Sequence, residues 1–191
     1  MLEHFFLFIK KITGKIKANI FSFLLKKKFG FVGRNCSFRG WSSIFLEDTI
    51  RIGDNCWIEA ITRYRDQSFS PSLQFGKCVM MSNNVHISCV SSIIIDDFVL
   101  IGSNVYIGDH SHGSLMSHKL DITVPPYMRD LDDIAPIYIG KNTWIGDGAI
   151  ILAGAYICDG CVIGANAVVK GQYHSPCVIA GVPARSIKSL L

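Results

Sequence analysis

An unbroken six-residue period runs from Ile139 to Val169. Cut into sixes, the stretch reads IGKNTW, IGDGAI, ILAGAY, ICDGCV and IGANAV, with Ile139, Ile145, Ile151, Ile157, Ile163 and Val169 opening successive units. A second series of small residues follows four places behind each: Thr143, Ala149, Ala155, Cys161 and Ala167. Six is neither the 3.6 period of a helix nor the two-residue alternation of a hairpin strand. It fits a parallel β-helix, in which short strands turn corners and three of them make a flat-sided coil of about 18 residues. A small β-sandwich with glycine turns would not hold one spacing through six positions.

Each position in the six has a physical task. The isoleucine points inward and stacks on its counterpart one coil away. The small residue also faces inward, where the triangular section tapers and a larger side chain would overpack. Gly, Asn and Asp take the corners, because they tolerate left-handed backbone or bond to it locally. One coil cannot bury its own apolar side, so coils must stack, about 4.8 Å apart.

The period can be followed backwards. Ile52-Gly53-Asp54-Asn55-Cys56-Trp57 shows it cleanly, and Phe75, Met81, Ile87 and Ile93 continue it. A two-residue slip then leads to Ile95, Ile101 and Ile107, which predicts one longer corner. Residues 62–74 lack periodicity and read as a solvated surface loop, although Tyr64 and two arginines could face a groove. Residues 111–136 also leave the pattern, and a loop of that length in a compact domain usually carries function. It holds His112, His118, Tyr127 and Arg129. The tail from Arg185 to Leu191 reads as a short C-terminal helix.

Net charge is +4, and it is uneven. Residues 1–30 contain seven lysines and one acid, so the remainder is slightly acidic. Phe5, Ile9, Ile12, Ile16, Ile20 and Phe23 recur at three or four among those lysines, which predicts a basic amphipathic helical leader over residues 1–31 ahead of a domain at 32–191. Such a leader could pack on the open end of the coil. It could equally lie on an anionic membrane surface through residues 1–29. No apolar run approaches the roughly 20 residues needed to span a bilayer. No secretory signal pattern is evident. The seven cysteines are odd in number, and Cys36, Cys56 and Cys161 fall in the small inward slot. They read as core thiols in a reducing cytoplasm. Cys158 and Cys161 form a CxxC without a second pair, which argues against a zinc site.

Six histidines are present, and His110 and His112 flank the point where the coil gives way to the long loop. A side chain there is held by a rigid wall and can still meet a ligand. A histidine near neutral pH can take a proton from a hydroxyl as its oxygen attacks a carbonyl or thioester. His110 is therefore a candidate general base, the alternative being a histidine that anchors the loop.

Three segments carry a resemblance to a known family: Met81–Ser88 with Ile101–Gly113, then Pro136–Val169, then VIAGVPARSIK at Val178–Lys188. The chain resembles the left-handed hexapeptide-repeat acyltransferases over residues 32–191. Within them it looks most like O-acetyltransferases of bacterial surface-polysaccharide pathways. The resemblance implies an all-β, left-handed parallel β-helix, an exception to the usual right-handed crossover. It also implies a homotrimer with acetyl-coenzyme A between neighbouring prisms, a saccharide acceptor that could be lipid-linked, and no resident metal or nucleic-acid partner. By motif, His110 is the implied catalytic base, with His112, Asn84, His86 and Asp109 as acceptor-binding or orienting residues. Trp144, Asp147, Gly148, Ala165, Lys170 and Arg185 match the coenzyme side, the last two near its phosphates. The family's small N-terminal helical domain is not matched by residues 1–31.

The implied function is transfer of an acetyl group to a sugar hydroxyl in O-antigen, capsule or exopolysaccharide synthesis, at the inner face of the cytoplasmic membrane. Serine, an amino sugar or a streptogramin-type drug are alternative acceptors. A zinc-dependent carbonic anhydrase using His86, His110 and His112 is a further alternative on this fold, as is a non-catalytic scaffold.

Overall fold

The computed structural model describes residues 27–114 and 122–191. Its core is a three-faced parallel β-helix, consistent with the left-handed coil that the resemblance implies. The first face carries Gly30–Val32, Ile50–Ile52, Met80–Met81, Leu100–Ile101, Trp144–Ile145, Val162–Ile163 and Cys177–Gly181. On the second lie Ser37–Arg39, Trp57–Ala60, His86–Cys89, Tyr106–Gly108, Ile150–Leu152 and Val168–Val169. The third holds Ile44–Leu46, Ser72–Phe75, Ser92–Ile95, Ile137–Ile139, Tyr156–Ile157 and Gln172–Tyr173. The chain visits the faces in that order, so each coil rests on the previous one.

Inward columns form the core. Phe38, Ile58, Ile87, Ile107, Ile151 and Val169 stand in register on the second face, all buried. Thr143, Ala149, Ala155, Cys161 and Ala167 are buried in the small slot. Burial of each full-sized apolar side chain contributes about 1.5–3 kcal/mol. Cys56 and Cys161 belong to this interior, and burial pushes their thiols up to about 11 and about 12. All seven cysteines are free.

Corners are built from the residue types that the period placed there. Asn35, Asn55, Asn84, Asn104, Asn142 and Asn166 all adopt left-handed φ, which asparagine accepts at low cost. Aspartates cap the preceding coil: Asp54 Oδ1 accepts the Arg34 N–H at 2.7 Å and Asp159 Oδ1 accepts the Lys141 N–H at 2.9 Å.

Three expectations need correction. The C-terminal segment is not a helix: Ala184–Ser189 is a strand that turns back antiparallel on Cys177–Gly181. The last strand of the first face would otherwise leave its backbone groups unpaired, and a returning strand satisfies them. Nor is a helical leader present among the described residues, where helix is confined to residues 27–29 and the 3-10 turns Trp41–Ser43 and Pro126–Met128; residues 1–26 lie outside them. The two-residue slip at Ile93–Ile95 is not a longer corner. Both side chains are buried on one strand, Ser92–Ile95, because residues two apart share a face. No helix among the described residues is long and apolar enough to cross a membrane.

Candidate functional site

Two excursions leave the prism at the edge between the second and third faces. The shorter is a hairpin pairing Arg63–Tyr64 with Gln67–Ser68. The longer pairs Ser111–His112 with Leu131–Asp132, also antiparallel, with the Pro126–Met128 turn between them. Residue 118, one of the histidines noted in this loop, lies outside the described residues. On the intervening coil, Cys89 and Ser92 end and begin their strands with only Val90 and Ser91 between.

The excursions hold each other. Gln67 Nε2 donates to the Leu131 carbonyl at 3.0 Å, and the Leu131 N–H donates to Gln67 Oε1 at 2.7 Å. Tyr64 donates its hydroxyl to the Tyr127 carbonyl at 2.9 Å. Residues 62–74 are therefore not the plain solvated loop that their aperiodic sequence suggested. Thr62, Arg63 and Tyr64 form one wall of a cavity of about 530 Å³ over the second face, which His86, His110 and His112 also line.

Asp109 is the anchor beneath this wall. It is fully buried, and its carboxylate accepts the Val90 N–H at 2.9 Å and the Ser91 and Ser92 N–H groups at 2.8 and 3.0 Å. Oδ1 also lies 3.0 Å from His110 Nδ1. A carboxylate only accepts, so Nδ1 carries the proton and Nε2 is left as the lone-pair nitrogen. The His110 side chain is 6% exposed, which fixes its position at the cavity. His112 is exposed and reaches Tyr64 through Nδ1 at 3.3 Å. The Tyr64 proton is used on Tyr127, so His112 Nδ1 is the donor in that contact.

The floor is the outer side of the second face. Trp57, His86 and Tyr106 stand in register, with Trp57 stacked on His86 at 4.3 Å and Tyr106 edge-on to it at 5.2 Å. Beside them run Arg39, Glu59 and Ser88. Glu59 is 6% exposed. Burial pushes its carboxyl up, but interactions with His86, Ser88 and Arg39 outweigh this and hold it below the usual carboxylate range. Burial and the charges of Asp109 and Glu59 push the Tyr106 phenol up, so it remains a neutral hydroxyl.

The other expected residues lie elsewhere. Trp144 is 53% exposed on the first face. Asp147, Gly148 and Ala165 sit on the edge between the first and second faces, where the Asn166 N–H donates to the Asp147 carbonyl at 2.9 Å. Asp147 Oδ1 accepts the Ser103 N–H at 2.6 Å, and Gly148 has φ +69°, a conformation that glycine adopts freely. Asn84 occupies the same edge, donating to Asn104 Oδ1 at 3.0 Å, and does not line the cavity. Lys170 lies at the opposite edge of the second face, and Arg185 on the returning strand. Trp144, Asp147, Gly148 and Ala165 thus lie along one edge, and Arg185 pairs with Ala180, which stacks on Gly164 at that same edge, whereas Lys170 lies apart. Among the described residues no group of three His, Cys, Asp or Glu is arranged to hold a metal ion.

Residues 136–171 match the family pattern described as bacterial transferase hexapeptide (six repeats). The chain is 41% identical over 117 residues to the putative lipopolysaccharide biosynthesis O-acetyl transferase of Escherichia coli, covering 60% of this chain and 59% of that relative. It is 30% identical over 172 residues to the dTDP-4-amino-4,6-dideoxy-D-glucose acyltransferase of Escherichia coli, covering 84% of this chain and 83% of the relative. The chain belongs to the hexapeptide-repeat acetyltransferase family. Among solved structures of the family, galactoside acetyltransferase in complex with coenzyme A superposes with a TM-score of 0.56 at 26% identity, covering 89% of this chain and 70% of that one.

Tyr64, which the sequence allowed to face a groove, lines the cavity; family membership does not by itself point to Glu59, Arg39 or Trp57. These were missed because outward positions in the sixes read as solvated. Only the acidic residue in an otherwise apolar run, Trp57-Ile58-Glu59-Ala60, could have signalled a covered face.

Proposed function

We propose that the protein transfers an acetyl group from acetyl-coenzyme A to a sugar hydroxyl in the synthesis of a bacterial surface polysaccharide. The observation that carries this reading is the His110–Asp109 pair, with a lone-pair nitrogen in a cavity large enough for a sugar ring. Asp109 orients His110, whose Nε2 takes the proton of the acceptor hydroxyl while the oxygen attacks the thioester carbonyl. The imidazolium then returns the proton to the departing coenzyme thiolate, and no covalent enzyme intermediate is needed. A backbone N–H at the corner near Asp147–Ala149 would steady the oxyanion. His112, His86 and Asn84 are proposed on the acceptor side. Lys170 and Arg185 would meet the coenzyme phosphates.

The proposed donor cluster and the His110 cavity occupy different edges of the second face, and assembly into a trimer would bring one prism's edge against its neighbour's cavity. The exposed outer row Phe31, Met80, Leu100 and Trp144 on the first face suits such burial. Residues 1–29, basic and apolar by sequence, are proposed to touch anionic membrane, where a lipid-linked acceptor would lie. Light scattering is expected to give three copies, and the full chain is expected to float with anionic vesicles while a chain lacking residues 1–29 does not.

Thiol release from acetyl-coenzyme A tests the activity across glycosides, nucleotide sugars and lipid-linked glycans, with amines alongside. Release dependent on a saccharide supports the reading, and release with amines alone replaces it.

A further inference from the structure

Glu59 is a buried carboxylate with incomplete bonding. Its Oε1 accepts the Ser88 hydroxyl at 3.0 Å. Its Oε2 has Arg39 Nη1 at 3.9 Å, too long for a hydrogen bond. His86 Nε2 lies 3.6 Å from Oε1, is itself buried, and has no hydrogen-bond partner. Buried charges normally have their lone pairs filled, and buried ring nitrogens their partners. Here Glu59 Oε2 takes no hydrogen bond on the floor of the cavity that His110 lines, while His86 Nε2 is shut away from the cavity against Oε1. Folded proteins keep such groups where a ligand completes them.

Chemistry narrows that ligand. Glu59 Oε2 calls for a hydrogen-bond donor. A hydroxyl of a sugar ring satisfies it. The Trp57–His86–Tyr106 aromatic row gives an apolar surface beside it, as a sugar ring requires. A carboxylate-bearing sugar would set its charge against that of Glu59, whose nearest cation stands at 3.9 Å.

We propose that Glu59, backed by His86, is the acceptor-recognition residue, holding a hydroxyl of an uncharged sugar and rejecting an acidic one. The inference rests on the acetyltransferase reading above. It makes Glu59 a specificity-determining residue, separate from the His110–Asp109 pair that handles the proton.

Thiol release from acetyl-coenzyme A is measured with p-nitrophenyl β-D-galactopyranoside, its glucopyranoside counterpart and the corresponding glucuronide. Glu59→Gln keeps the shape and removes the charge. It is expected to raise KM for the neutral glycosides about tenfold, the scale of a hydrogen bond to a charged group, with KM for acetyl-coenzyme A within about twofold. The preference for glucoside over glucuronide is expected to shrink about tenfold in Glu59→Gln and to persist in Glu59→Asp. A purely structural role would not separate the two KM values or shift that preference. Should Glu59→Gln melt early, Glu59→Asp decides the matter through the same KM split. Unchanged acceptor KM in a folded variant, with thiol release intact, overturns the assignment and leaves the enzyme reading standing. A wild-type protein that uses none of these glycosides but releases thiol with a nucleotide sugar or lipid-linked glycan overturns the assignment alone, and one that releases thiol with no saccharide overturns both.

Discussion

Replacing His110 with alanine is expected to lower acetyl transfer about a thousandfold, within the range that a positioned general base contributes. Melting temperature and coenzyme affinity are expected to hold, because the imidazole faces the cavity and only its Nδ1 bonds inward, to Asp109. His112→Ala is the necessary companion. That ring is exposed and meets Tyr64 rather than a buried carboxylate, so its loss is expected to cost about tenfold at most. Single-turnover rates on both variants decide between them. The reverse ranking, with His112→Ala inactive and His110→Ala near normal, makes His112 the base and reduces the Asp109 contact to loop anchoring.

Asp109 is expected to be the most sensitive position for stability. Asp109→Ala strands the N–H groups of Val90, Ser91 and Ser92 at a tight corner. Leaving buried donors unmet costs about 1–3 kcal/mol apiece, so a fall in Tm of about 10 °C is expected. Asp109→Asn isolates the catalytic half of the effect. Its oxygen can still serve part of the corner, but its amide NH2 would face donors that a carboxylate accepts from. The His110 Nδ1–H then loses its acceptor, and the ring is expected to switch tautomer and present a protonated Nε2. Turnover is expected to fall about a hundredfold with a smaller loss of stability. Nitrogen chemical shifts of the His110 ring report the tautomer directly, and an unaltered ring with normal turnover would remove Asp109 from the chemistry.

The coil was legible because its period is dictated by geometry that allows few substitutes: an inward isoleucine every sixth residue, a small partner four behind, a corner between. The ends were not. Arg185 to Leu191 carries too short a pattern to separate helix from strand, and what decides is the open backbone of Cys177–Gly181 waiting for a partner. The slip at Ile93 was visible, but its meaning depended on whether the extra pair lay in a strand or a corner. Around the cavity, His110 stood out at a break in the repeat, whereas Glu59 occupies an outward position set among Arg39, His86 and Ser88 of the neighbouring coils. Its environment is made by residues far along the chain, and a local pattern does not carry that. The contact between His110 and Asp109 is similar: adjacency in the chain places neither ring nor carboxylate.

Both excursions spring from one edge, on coils separated by the close Val90–Ser91 turn, and Gln67 and Leu131 tie them together. A lineage can therefore remodel that edge without disturbing an inward isoleucine or the corner proposed for the coenzyme. What is heritable as a working module is the pair, since either excursion transplanted alone would arrive with unanswered backbone and amide groups. On the proposed assignment, paired exchange at one border can reshape the rim over the sugar site, while the floor that holds the sugar and the means of carrying the acetyl group descend unchanged.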